Sequence, residues 1–166
     1  TEIFIKGKEN ILKDQKFFIA ASHQSMFETF YLQTIFNAPI FILKKELLVI
    51  PVFGWYLKKI GSISINRNKI AKENIGFFDI ISETVKKTNW PLIIFQKGVA
   101  RIYDELKIYC QPVAINSGYV WPKKGLKIPN KKITISILKP MEIGLSKEDF
   151  IKTLEKNIYL ELDLIN

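Results

Sequence analysis

The chain has 166 residues, with 25 Lys and Arg against 16 Asp and Glu and a net charge of +9. That length suits one domain with a sizeable core, and the charge favours anionic partners: phosphorylated small molecules, an anionic lipid surface or nucleic acid. A single cysteine, Cys110, excludes an internal disulfide and a cysteine-rich metal site, no run of about 20 apolar residues could span a bilayer, and no secretory signal pattern opens the chain, which fits a reducing cytosolic setting.

Residues 3–11, IFIKGKENI, run from a first strand into a turn punctuated by Gly7 and Asn10. FFIAA (17–21) is a short continuous apolar run of the kind that forms a buried strand. After it, Met26, Phe27, Phe30, Tyr31 and Ile35 fall at helical spacing, with Ser22 as the expected N-cap. PIFILKK (39–45) reads as a strand, ELLVIPVFGWYLKKIG as an apolar, aromatic segment broken by Pro51 and Gly54, and SISINR (62–67) as an alternating strand. A helix is expected over 69–88, where Ile70, Phe77, Phe78, Ile81 and Val85 share a face, and a buried strand over WPLIIF (90–95). GVARIYDELK (98–107) looks helical, QPVAI (111–115) and KKITISIL (131–138) look like strands, and 147–162 forms an amphipathic terminal helix opened by Ser146. Strands alternating with helices imply one layered α/β domain over 1–166, its sheet mixed but largely parallel and flanked by helices. No repeat, linker or low-complexity segment interrupts it.

The only histidine, His23, stands where the strand FFIAA gives way to a helix, at the place where ligand crevices open in α/β folds. A lone histidine there could be an inert, hydrogen-bonded strand end. Glu28, five residues on, changes the reading. On a regular helix five residues turn through about 140 degrees of offset, so the two side chains meet only if His23 precedes the first turn, which the N-terminal position allows. Imidazole suits general-base work near neutral pH, and a carboxylate on its second nitrogen fixes the tautomer and stabilises the charged ring. With no Ser or Cys nucleophile beside it, the pair suggests a base acting directly on a substrate hydroxyl.

HQSMFE (23–28) resembles the His-x4-Asp block of the glycerolipid acyltransferase family. KKELLVIPVFGWYLKKIGSISINR (44–67) is similar to that family's second block, with its Lys-Glu-Leu, Pro, Phe-Gly-Trp and closing Ile-x-Arg, and QPVAINSGYVWP (111–122) resembles the fourth. The three occur in the family's order and cover most of the chain. Two departures stand out. The acidic partner is Glu28 where most members carry Asp, and the third block, Phe-Pro-Glu-Gly-Thr-Arg, is missing between Phe95 and Gln96, together with a loop of about ten residues. Because both flanks are intact, a segment omitted from this sequence is favoured over a loss. The natural chain is likewise expected to begin before Thr1 with an apolar, membrane-associated segment.

The resemblance implies a glycerol-3-phosphate acyltransferase-like fold and an enzyme of phospholipid synthesis. His23 would take the proton from a glycerol hydroxyl, Glu28 would orient it, and the hydroxyl would attack an acyl thioester carried by CoA or acyl carrier protein, with no metal or other cofactor. Arg67 would hold the acceptor's phosphate, for which its planar fork is suited, and Lys45, Gly61, Asn116 and Ser117 would complete the substrate-binding set. The expected acceptor is lysophosphatidic acid, and the expected product phosphatidic acid, made at the cytoplasmic face of a membrane. Glycerol 3-phosphate, another lysophospholipid, or a lipid-binding relative without catalysis remain alternatives. The stretch 47–57, flanked by Lys44, Lys45, Lys58 and Lys59, reads either as core or as an element lying on a lipid surface. Nucleic-acid binding has only the charge behind it, with no recognition-helix or aromatic-basic sheet signature.

Overall fold

The computed structural model describes residues 1–65, 75–88, 90–94, 99–122, 126–128 and 131–166. Among these residues seven strands, β1 (Ile3–Lys6), β2 (Phe17–Ala21), β3 (Ile40–Lys44), β4 (Ile63–Ile65), β5 (Leu92–Ile94), β6 (Tyr109–Ile115) and β7 (Ile133–Ile137), form one sheet in the order β1-β7-β6-β2-β5-β3-β4. Every pairing is parallel except β6 with β7, so the sheet is mixed and largely parallel, as the alternation of elements predicts.

The period of two along each strand divides the core into two layers. Phe18 and Ala20, Ile40 and Ile42, and Leu92 and Ile94 face one side, where α3 (Ile75–Lys87), α4 (Val99–Leu106) and α5 (Lys147–Ile165) cover them. The intervening Ile19, Ala21, Phe41 and Ile93 face the other side, against Phe27 and Leu32 of α1 (Phe27–Ile35). Strands buried on both faces read as continuous apolar runs, which is why FFIAA and LII carry no polar alternation. On the first side the Tyr103 and Phe150 rings stack at 3.9 Å and both meet Phe18, joining α4 and α5 over β2.

The apolar segment after β3 resolves into a 3-10 turn, Lys45–Val49, and a short helix, α2 (Phe53–Lys59), beside α1. Gly54 is required there: a Cβ on it would lie 2.1 Å from the Leu48 carbonyl oxygen. α5 begins as expected, with the Ser146 hydroxyl accepting from the Asp149 N–H, and runs on to Ile165. The helix expected over 69–88 is seen as Ile75–Lys87, residues 66–74 lying outside the described set.

Parallel pairing gives the fold its functional geometry. β2, β3, β4, β5 and β6 all point the same way, so the segments leaving them open onto one edge of the sheet. His23 follows β2, Lys45 follows β3, and Asn116 and Ser117 follow β6 on that edge. β4 ends there too, at Ile65, but Arg67 lies outside the described residues, as does the Phe95–Gln96 junction.

Candidate active site

The chain between β2 and α1 differs from the local expectation. α1 starts at Phe27 rather than just after Ser22, because Ser25 and Glu28 form a capping box. The Ser25 hydroxyl accepts the Phe27 N–H at 3.2 Å, and the Glu28 carboxylate reaches back to the Ser25 N–H at 3.0 Å. The Ser22 hydroxyl is used elsewhere: it accepts the Ile115 N–H at 3.0 Å, stitching the end of β2 to the end of β6. With the helix starting later in the chain, His23 stands two residues before the box, and its ring swings to the same carboxylate. His23 Nδ1 lies 3.0 Å from Glu28 Oε2.

Glu28 is fully buried, whereas the His23 side chain keeps 28% of its surface exposed. A carboxylate taken out of water needs donors around it, and the fold supplies them from two elements. The Ser25 N–H serves both oxygens, and the Ser117 hydroxyl donates to Oε1 from the 3-10 turn after β6. The Ser25 hydroxyl sits 3.3 Å from Oε1 and 3.1 Å from the Ser117 hydroxyl, closing a small polar ring. Beside it, Gln24 Oε1 accepts the Gly118 N–H at 2.9 Å, a second tie between the loop and that turn. Because a carboxylate only accepts, His23 must donate through Nδ1, which leaves the basic lone pair of the neutral ring on Nε2.

His23 and Gln24 border a cleft of about 340 Å³ whose walls are otherwise mostly apolar: Ala20 and Ala21 from β2, Ile94 from β5, and Leu154, Ile158 and Leu162 from α5. A base at the mouth of an apolar slot can serve a reaction joining a hydroxyl to a long aliphatic group. The lone thiol plays no such part, since burial pushes Cys110 far above the ordinary range for a thiol and holds it protonated.

Of the residues singled out in the sequence, the structure brings together His23, Glu28 and Ser117. Asn116 is adjacent, yet both ends of its amide are taken by the main chain: Oδ1 accepts the Thr134 N–H at 2.7 Å and Nδ2 donates to the Ile165 carbonyl at 2.6 Å. Gly61 occupies the left-handed turn that ends α2, with φ of 72°, and Lys45 is exposed in the turn after β3. Ser25, Gln24 and the α5 wall of the cleft escaped the sequence reading. For Ser25 the signal was present, as Ser-x-x-Glu over 25–28 is a capping-box signature.

The acyltransferase family model matches residues 2–105. A 1-acyl-sn-glycerol-3-phosphate acyltransferase of Pseudomonas aeruginosa is 32% identical over 136 residues, covering 73% of this chain and 52% of that protein. One of Saccharomyces cerevisiae is 28% identical, covering 93% of this chain and 57% of its own length. The chain thus spans about half the length of the curated relatives it matches. The crystal structure of the 1-acyl-sn-glycerophosphate acyltransferase from Thermotoga maritima superposes with a TM-score of 0.81 at 21% identity, over 98% of this chain and 71% of that one, and shares its fold.

Proposed function

The chain belongs to the acyltransferase family, and from that premise we propose that it transfers a fatty acyl group from an acyl thioester to the sn-2 hydroxyl of 1-acyl-sn-glycerol 3-phosphate, giving phosphatidic acid. One observation carries the reading: a buried, fully provided carboxylate holds the half-exposed His23 ring at the mouth of an apolar cleft. The names of the two curated relatives support the acceptor.

In the proposed reaction Nε2 of His23 takes the proton of the acceptor hydroxyl as its oxygen attacks the thioester carbonyl. Glu28 stabilises the imidazolium so formed through Nδ1–H. The tetrahedral intermediate then collapses, the C–S bond breaks, and the leaving thiolate takes the proton from Nε2 to depart as a free thiol. The thioester arrives activated, whether on CoA or on acyl carrier protein, so the step asks only for a base, a held acceptor and a dry slot for the acyl chain. The slot against α5 takes that chain, Arg67 grips the acceptor's phosphate, and the reaction runs at the cytoplasmic surface of a membrane.

The test is an assay of the full-length protein with lysophosphatidic acid, glycerol 3-phosphate and lysophosphatidylcholine as competing acceptors, each offered with acyl-CoA and with acyl carrier protein thioesters. Phosphatidic acid acylated at sn-2 is the expected product. Exclusive use of another acceptor, or binding of lipid without turnover by either donor, would sink the proposal. Arg67→Ala should raise the acceptor KM and leave the donor KM nearly unchanged; equal effects on both would remove Arg67 as the anchor.

A further inference from the structure

We propose that the turn and helix over 49–55, together with Phe30 of α1 and Met26 just before it, form a surface that enters the headgroup region of an anionic phospholipid bilayer. Val49, Val52 and Trp55 are 80%, 76% and 76% exposed, and Ile50, Met26 and Phe30 are also exposed. They form one patch, because the Phe30 ring packs on Phe53 at 5.6 Å and on Tyr56 at 5.7 Å and so carries the α1 residues onto α2. Scattered apolar residues on a surface need no explanation, but a contiguous group of this kind marks a contact.

The chain holds these side chains outward at a cost. Leu57 and Gly54 turn inward and are buried, with Gly54 pressed against the Leu48 carbonyl, so the turn and helix make a rigid platform. Val52 has φ of 64° and ψ of −55°, and the Phe53 N–H bonds to the Pro51 carbonyl at 2.7 Å, which is the rarer, strained form of γ-turn. A β-branched residue in that region is an outlier. Most of the Val52 side chain is in solvent, so among the described residues no packing of that side chain offsets the strain, which points to a partner outside it.

Charge selects the partner. Between positions 44 and 59 the chain carries four lysines, all exposed, against one acidic residue, Glu46. Lys44 and Lys45 precede the patch and Lys58 and Lys59 follow it, giving an apolar centre with a basic rim. That is the complement of an anionic leaflet, with apolar side chains entering the acyl boundary and lysines meeting headgroups. Among the described residues no helix is long and apolar enough to cross a membrane, so the element lies on the bilayer rather than through it. β3, which leads into the patch, ends on the same edge of the sheet as β2, so a bilayer seated here lies toward the side where His23 stands.

The experiment is vesicle binding, which reads independently of turnover, so a failed docking surface and a failed acyl-transfer reading show up separately. Full-length Trp55→Cys, labelled with an environment-sensitive NBD group, is mixed with phosphatidylcholine vesicles with and without phosphatidylglycerol. We expect a blue-shifted, brighter emission on the phosphatidylglycerol vesicles that weakens with salt. Lys58→Gln with Lys59→Gln should lower the partition coefficient roughly 30-fold, and Val52→Asp about tenfold or more, at an unchanged melting temperature. If Val52→Asp does not fold, Val49→Ser in the exposed turn before α2 makes the same test. Binding of vesicles without any NBD shift overturns the proposal. So does a shift without lipid, which assigns the patch to a second copy if it vanishes on dilution and to another segment of the same chain if it does not.

Discussion

Asn116 and Ser117 are neighbours at the end of β6, both buried and both hydrogen-bonded, yet their bonds end on different kinds of group. Asn116 ends on the main chain of β7 and on the carbonyl of Ile165, closing the sheet edge and satisfying one of the carbonyls that a helix leaves without an internal partner. Ser117 ends on Glu28, whose other oxygen meets a ring open to the cleft. One network is closed on itself and the other has an exit. The difference teaches that burial and bonding alone do not separate a fold-holding polar residue from a site-holding one; the identity of the last group in the chain of bonds does. Substitutions should therefore fall into two classes, loss of stability for the closed network and loss of rate for the open one.

The sharpest break between the classes is expected at His23. His23→Ala removes the proposed base and its Nδ1–H bond to Glu28, but the Ser25 N–H and the Ser117 hydroxyl still serve that carboxylate, so kcat should fall by about 10³-fold or more while the melting temperature drops by only a few degrees. Steady-state kinetics and a thermal melt check this together. Residual transfer near the wild-type rate would return His23 to the role of an inert strand end.

Glu28 comes next, because it belongs to both the site and the start of α1. Glu28→Gln keeps the shape but replaces the charged acceptor with an amide, so we expect a loss of about 10²-fold in kcat together with a modest loss of stability. Glu28→Asp should lie between Gln and wild type, since the shorter side chain keeps the charge but must draw the Ser25 N–H and the ring closer. A Gln variant as fast as wild type would mean that the pair serves only the helix cap.

How far this division could be read in the sequence varies from residue to residue. FFIAA was legible as a strand because burial on both faces leaves only apolar choices, and ITISI because isoleucines alternate with the polar Thr134 and Ser136. The pairing of His23 with Glu28 was legible from spacing once His23 was placed before the first turn. The start of α1 was not: Ser22 has the composition of a cap, and its hydroxyl is used instead by Ile115, a partner 93 residues away. The same holds for Asn116, whose bond to Ile165 spans 49 residues. The reversal between β6 and β7, and the pairing of β1 at the far edge, are likewise tertiary outcomes that local pattern does not encode. What sequence reads well is the period of burial and the chemistry of short spacings; what it misses is which of two suitable hydroxyls a distant strand will claim.

Asn116→Ala should show the closed class in isolation. It strands the buried Thr134 N–H and the Ile165 carbonyl, at about 1–3 kcal/mol for each group left unsatisfied, so the protein should lose about 3 kcal/mol, or roughly 6–12 °C in melting temperature. The rate per folded molecule should be unchanged. Denaturation and active-fraction titration on the same sample would tell these apart, and a selective rise in a substrate KM would instead restore the substrate contact that the sequence resemblance assigned to Asn116.

The smallest effect, and the most discriminating, is expected at Ser117. Ser117→Ala deletes one donor to Glu28 Oε1, but the Ser25 N–H still serves both oxygens at 3.0 Å and the Ser25 hydroxyl remains within 3.3 Å, so the carboxylate keeps its place. A fall of only about three- to tenfold in kcat follows, comparable to one hydrogen bond of net worth near 1 kcal/mol. Its size does not prove the role, since a small structural defect could produce the same number. Coupling does. If Ser117 acts on the reaction only by holding Glu28, then once Glu28→Gln has removed the charge, adding Ser117→Ala should cost almost nothing further in kcat, and the double variant should sit well above the product of the two single effects. Asn116→Ala in the same Glu28→Gln background should leave kcat multiplicative, because its network does not reach the carboxylate. Multiplicative behaviour from Ser117 as well would place both residues in the closed class and erase the distinction between them.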